Sequence, residues 1–497
     1  MQTIATSYLE RDQLEQISIA GFDTPARSGL LESDNDRCGS SPGFECDTDG
    51  MMIPSQPLTP PMPPGLPIIG HVLDYAANPP AYLLGLTKKY GGVVNLRFGN
   101  RGITLVTRSD LVAQVLRDQT KKFKKPYKGF PALNALIGNG LLSSDGDFWL
   151  RQRRLAQPAF HIEKIKAYAN TMRDYTVRSL PALNGALDMH AFWDKVTLEI
   201  VAKTLFNAEI RGHSSSRIGA ALEEALSANK AQMAQPFPLP LSIPLPGHKR
   251  LKKAIAELDA IVMEMIARER SDATEFSLMS MLVAARDTDG SSMSDAQLRD
   301  EALTLLLAGY ETTANALSWA VHLLVTHPEA LQRATTEARA ALTDEGCSLE
   351  DIPNLPFIKR VWLETLRLYP SAWSIGRTAL EDVRLGEYAL PHHQNVILSQ
   401  YVTHRDPTYF PEPESFKPER WEGDFKKSLP DYAYFPFSAG PRVCIGSMFA
   451  EMEGLILLST VLKHIDLAQG PNYDSSVFAS MTLRPKNGIS VIARSAS

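Results

Sequence analysis

From Ser294 the chain reads Ser-Asp-Ala-Gln and then LRDEALTLLLAGYETTANALSWAVHLLVT, a long stretch with apolar residues at helical spacing, before it reaches His327-Pro328. Ser and Gln form a capping box, and a residue before proline is pushed out of the helical region, so the spacing predicts one helix between these limits. At 1.5 Å per residue it is about 50 Å long, enough to cross a large domain. Its middle breaks the pattern: Gly309, Thr312 and Thr313 are poor helix formers, and Glu311 is a carboxylate among Leu and Ala. Such local inconsistency is expected where a chain is built for chemistry. Upstream, VVNLRFGNRGITLVT alternates two β-rich runs around Gly99-Asn100-Arg101-Gly102, which predicts a hairpin and a small sheet near the N-terminal end. Helical patterns dominate after it, with no internal repeat and no glycine-rich phosphate loop. The fold class is therefore mainly α with a small β region.

Residues 1–56 lack this periodicity and carry ten acidic and three basic side chains among Ser, Gly and Asp clusters. They have too little apolar surface to offset their ordering entropy, so a disordered acidic tail is expected, with Met51 or Met52 as an alternative start. Cys38 and Cys46 have no His or second Cys pair nearby and read as unpaired thiols, not zinc ligands. Ile53 to Pro67 holds seven prolines, which favour extended backbone and predict a stiff entry strap. Residues 57–497 form the expected catalytic unit.

Composition narrows the function classes. With 44% hydrophobic and 22% charged residues the chain is globular, which excludes collagen, coiled coil and wholesale disorder. A net charge of −5 leaves no global basic field for nucleic acid. The N-terminal MQTIATSYLERDQLEQ lacks the basic start and apolar run of a secretory signal. Ala302 to Val325 carries Glu311, Asn315 and His322 and reads as a buried helix, not a transmembrane segment. Four cysteines are too few for a disulfide framework and fit a cytoplasmic protein.

The chemistry gathers around one cysteine. Phe437-Ser-Ala-Gly440-Pro-Arg442-Val-Cys444-Ile-Gly446 precedes a helical pattern, SMFAEMEGLILLSTVLKH. Glycines let backbone approach a flat ligand, a helix N-terminus stabilises thiolate, and an arginine supplies countercharge for a ligand anion. This run resembles the cysteine loop of the cytochrome P-450 family of haem-thiolate monooxygenases, Phe-x-x-Gly-x-Arg-x-Cys-x-Gly, at every defined position. The resemblance implies haem b between the long central helix and the cysteine helix, with Cys444 as axial thiolate and metal ligand, Arg442 at a haem propionate and Phe437 shielding the sulfur.

Further landmarks follow in family order from about Pro57 onward. Ala308-Gly309-Tyr-Glu311-Thr312-Thr313 matches the oxygen-binding groove: Gly309 removes bulk, Thr312 bonds to a carbonyl, oxygen or water, and Glu311 leans toward a solvent path and feeds protons. Trp149 and Arg153, one helical turn apart, resemble the family's propionate pair, and Arg377 resembles another propionate partner. Glu364, Arg367 and Arg420 resemble its buried charge network, structural in role. The segments that would touch substrate, Phe123 to Leu142, Gln235 to Gly247, Ser371 to Ile375 and Phe478 to Met481, are mostly apolar, which implies a hydrophobic substrate such as a fatty acid, terpenoid or polyketide. The Gln235 to Gly247 stretch is also readable as an apolar flap that touches membrane or a carrier protein.

The partners implied are that substrate, O2 and a separate electron donor, ferredoxin with its reductase or similar, because the sequence ends soon after the family's last β segment. Arg151, Arg154, Lys359, Lys426 and Lys427 are the candidates for a basic docking face. Rival readings are a haem-thiolate peroxygenase or isomerase and a non-catalytic haem sensor. Glu311-Thr312 weighs against the first, which needs no proton delivery, and the lack of a signalling segment against the second.

Overall fold

The computed structural model describes residues 44–46, 52–54, 56–126, 131–207, 213–233, 239–271 and 277–496. The predicted hairpin is present: β1 (Val93–Phe98) and β2 (Arg101–Val106) pair antiparallel with Phe98 opposite Arg101, which leaves Gly99-Asn100 as a two-residue turn. Gly99 has φ 62°, a left-handed conformation that favours glycine. Three short strands complete the sheet: β3 (Phe123–Lys124), β4 (Ile375–Ala379) and β5 (Asn395–Leu398), in the order β1-β2-β5-β4-β3. β5 runs parallel to β2 and antiparallel to β4, with Val396 opposite Arg377, so the sheet fixes that arginine.

The helices that position the site are α1 (Gly146–Ala156), α2 (Met189–Phe206), α3 (His213–Met233), α4 (Asp295–Thr326), α5 (Pro356–Leu368) and α6 (Ser447–His464). α4 is the predicted central helix, 32 residues long, with both halves of the Ser294–Gln297 capping box formed. It is buried on nearly all sides, which explains why its sequence lacks a polar face. α2 packs along it. At their crossing a Cβ on Gly309 would lie 3.0 Å from Val201 Cγ2. Gly309 thus also serves the close packing of α2 against α4.

The proximal side is held by a buried charge network. Both Glu364 and Arg367 of α5 are fully buried. Arg367 donates to both Glu364 oxygens at 2.9 Å, Arg420 Nε to Oε1 at 3.0 Å, and Trp421 Nε1 to Oε2 at 2.8 Å. Arg367 also reaches the carbonyls of His404, Pro413 and Ser415. A buried ion pair survives only when its remaining donors are satisfied, and here the segment before the cysteine loop supplies them.

At the N-terminal end, Phe44–Cys46 and Met52–Pro54 pair as a short antiparallel ribbon, so the expected tail is not without structure throughout. Residues 1–43, with Cys38, lie outside the described residues. The proline strap is pinned where Leu58 exchanges backbone hydrogen bonds with Glu387 and Ala389. Among the described residues no helix is long and apolar enough to cross a membrane.

Candidate active site

The cysteine loop folds back on itself, with Cys444 N donating to Phe437 O at 2.9 Å and Val443 N to Gly440 O at 3.0 Å. Gly440 has φ 68°, and a Cβ there would stand 2.1 Å from Leu116 O, so the protein itself requires glycine. Gly446 differs. Its φ is −94° and its Cβ would meet Phe160 at an ordinary 3.9 Å, so packing does not demand glycine there. Cys444 ends the loop just before α6. The side chain has accessible surface although protein encloses it, so that surface faces an interior cleft. Burial pushes the thiol pKa up, while the Gly446 N–H and the Arg153 charge act in the opposite direction.

α4 packs against α6, and its middle shows the same feature. Ala308 is exposed and Thr312 half-buried between buried Leu307, Tyr310, Glu311 and Thr313. Thr312 Oγ1 donates to Ala308 O at 2.7 Å, and Ser371 Oγ donates to Thr312 O at 2.7 Å. The threonine hydroxyl is thereby oriented, with its oxygen left able to accept. Glu311 departs from expectation. It is only 7% exposed and takes a 2.6 Å hydrogen bond from Thr482, so it does not lean toward solvent. Burial raises its pKa, the Thr482 hydrogen bond and Arg484 lower it, and Asp194 and Glu223 raise it.

Trp149 and Arg153 share one face of α1, as their spacing predicts. Arg153 Nη1 donates at 3.0 Å to the carbonyl of Val443, next to the cysteine. The Arg442 guanidinium lies 4.1 Å from the Trp149 ring centre and pairs with Asp145, the cap of α1. Arg377 is buried on β4, where it donates to Gly376 O. Sequence reasoning missed Lys125, which it had assigned to a substrate-contact segment. The Lys125 ammonium is bonded to the carbonyls of Leu141 and Leu142. Burial, then Arg442 and Arg377, lower its pKa to about 7 against the opposing pull of Asp145 and Glu301. Three cations therefore converge here. The signal available was the run Lys121-Lys-Phe-Lys-Lys125, too basic for an apolar pocket wall.

Of the docking candidates, Arg151 and Arg154 both pair with Asp287, and Lys427 pairs with Asp424. Asp287 offsets only one of the two arginine charges, and the Lys427–Asp424 pair is exposed to solvent. Lys359 and Lys426 instead lower the pKa of Glu451, which burial raises. In the substrate segments, residues 127–130 and 234–238 lie outside the described residues. Leu239, Ile243 and Leu245, which follow them, are exposed.

A comparison with known families decides what this arrangement is. The family described as Cytochrome P-450 matches residues 60–492. The chain belongs to the cytochrome P-450 family. It is 36% identical to cyclooctatin synthase of Streptomyces melanosporofaciens over 80% of this chain and 88% of that one. It is 33% identical to cyclooctat-9-en-7-ol 5-monooxygenase of the same species, over 84% and 92%. Pentalenene oxygenase of Streptomyces avermitilis is 29% identical over 85% and 94%. The protein is a cytochrome P-450 monooxygenase, and such enzymes hold haem b through a cysteine thiolate.

The residues present fit that group. One sulfur opens into an interior cleft at a helix N-terminus. Lys125, Arg377 and Arg442 bring positive charge together beside Asp145 and Glu301, which suits a ligand with anionic substituents. Ala308 and Thr312 give the middle of α4, which packs against α6, accessible surface of its own.

Proposed function

We propose that this cytochrome P-450 inserts one oxygen atom from O2 into a hydrophobic terpenoid, with electrons from a separate donor of ferredoxin type. Cys444 is the thiolate ligand. Trp149, Arg153, Arg377 and Arg442 hold the haem periphery, joined by Lys125, while Phe437, Gly440 and Gly446 shape the loop that carries the sulfur. Once bound, the haem supplies the oxygen-activating redox chemistry, and the protein supplies position and protons. Thr312 and Glu311 share the second task. As neighbours on a helix they point about 100° apart, so the threonine faces the cleft while the carboxyl is held behind it. Glu311 keeps a proton readily because burial disfavours its charge, and it releases that proton toward the threonine side.

The observation that carries this reading is the accessible sulfur of Cys444 enclosed by protein, opposite a central helix whose polar residues are oriented by hydrogen bonds. The terpenoid class draws its support from the relatives named cyclooctat-9-en-7-ol 5-monooxygenase and pentalenene oxygenase. Residues 57–497 act as one catalytic unit. The test is titration of the purified holoenzyme with terpenoid and fatty-acid panels, read by the shift of the haem absorbance, then product analysis with a ferredoxin, its reductase and NADPH. A terpenoid that shifts the spectrum and gains one oxygen supports the proposal. Turnover of fatty acids alone would replace the substrate class.

A further inference from the structure

Past the Phe478 to Met481 turn lies a residue that the sequence reading left without a role. β6 (Val477–Ala479) and β7 (Leu483–Pro485) pair antiparallel with Ala479 opposite Leu483, which leaves Ser480, Met481 and Thr482 as the connection. This turn is tied to the central helix at several points. Trp319 of α4 donates its indole N–H to Leu483 O at 2.9 Å, and Trp373 donates likewise to Ser480 O at 2.9 Å. Leu483 N donates to Ser371 O, and the Ser371 hydroxyl holds the carbonyl of Thr312. Arg484 then binds Glu223 of α3 through both terminal nitrogens, at 3.1 and 3.3 Å. The turn is thus fastened to α4 on one side and to α3 on the other.

From this fixed point Thr482 reaches Glu311. Both side chains are buried, at 8% and 7% exposure, and the hydroxyl donates to Oε1 at 2.6 Å. A threonine has one hydroxyl proton, and here it occupies Oε1, so the proton of a neutral Glu311 carboxyl is carried on Oε2. Charge reaches Glu311 from Arg484, Asp194 and Glu223, and His190 is coupled to it as well. The Thr482 hydroxyl adds a hydrogen bond to one of the two oxygens, Oε1.

We propose that Thr482 is a positioning residue for proton delivery: it fixes the Glu311 carboxyl so that Oε2 carries the transferable proton and faces the Thr312 side of α4. The inference rests on Glu311 as the proton source in the function proposed above. No bond other than O–H is made or broken. The O–H bond at Oε2 breaks as one forms on the Thr312 hydroxyl oxygen, which passes its own proton on toward the cleft, and the carboxylate that remains is stabilised by the hydrogen bond on Oε1 until solvent water protonates it again.

The experiment compares Thr482→Val, Thr482→Ser and Glu311→Gln in the holoenzyme with a ferredoxin, its reductase and a substrate that shifts the haem spectrum. Haem content, substrate affinity, product formed per NADPH and the solvent isotope effect are measured for each. Glu311→Gln should slow product formation by about a hundredfold. Thr482→Val, which keeps the shape and removes the donor, should leave haem content and affinity unchanged, slow product formation by roughly tenfold and enlarge the isotope effect. Thr482→Ser should restore wild-type values. Wild-type turnover and isotope effect in Thr482→Val, beside a slowed Glu311→Gln, would overturn this inference and leave the role of Glu311 standing. An unimpaired Glu311→Gln would instead remove the reading on which it rests. Should the valine variant lose haem, Thr482→Cys against Thr482→Ser makes the same comparison with a weak and a strong donor. Equal rates in that pair would overturn the inference.

Discussion

Asp145 joins the cysteine loop to the helix that carries Trp149 and Arg153. Its carboxylate pairs with Arg442, accepts from Lys125 N at 2.7 Å and caps α1 through Gly146 N at 3.1 Å. Asp145→Asn keeps an oxygen for the cap and removes the charge. The variant should lose about 1–2 kcal/mol of stability. It should also release haem faster to an excess of a haem-scavenging protein, because Arg442 is no longer held over Trp149. Equal release rates would show that the loop is positioned by its own backbone.

Thr312 carries a second expectation. Its hydroxyl is already satisfied by Ala308 O, so its removal leaves no buried donor unpaired, and α4 should keep its stability. Thr312→Ala is expected to bind haem and substrate as the wild type does while diverting reducing equivalents to hydrogen peroxide, with less product per NADPH. Wild-type coupling in this variant would leave the threonine as an ordinary helix residue.

Much of this arrangement was legible in the sequence. The limits of α4 were readable because a capping box and a proline are local signals, and the hairpin at Gly99-Asn100 was readable for the same reason. The cysteine loop was legible because its spacing is fixed by close approaches such as that of Gly440 to Leu116 O. What stayed hidden depends on distant partners. β5 lies parallel to β2 although nearly three hundred residues separate them, and no local pattern announces that pairing. The packing of Val201 against Gly309 was hidden because the two are distant in sequence. That Arg151 and Arg154 share Asp287 was hidden because that residue is remote in sequence. The burial of Glu311 against Thr482 was hidden in the same way.

Glu453 on α6 gives a pH-dependent expectation. It is fully buried, and burial pushes its pKa up to about 8 from an ordinary 4.5. A Thr313 hydrogen bond acts in the opposite direction and lowers it, but burial prevails. The folded state therefore holds a proton that the unfolded chain releases between these two values. Stability from this source is complete below about pH 4.5 and is lost as pH rises toward 8, at roughly 1 kcal/mol per pH unit. Glu453→Gln stays neutral throughout. Its unfolding free energy should fall less steeply from pH 5 to pH 8 than that of the wild type. Glu301 and Asp194, each raised to about 7 mainly by burial, slope both curves alike and cancel in the comparison. Parallel curves would mean that Glu453 is ionised in the folded protein.

The central claim is that the Cys444 sulfur ligates the haem iron, and the absorption spectrum of the reduced carbonyl complex tests it most directly. The wild-type protein should show the red-shifted Soret band that thiolate ligation produces. Cys444→Ser, in a preparation that still contains haem, should lack it. An unchanged red-shifted band in that variant would place the axial ligand elsewhere and contradict the assignment of the site.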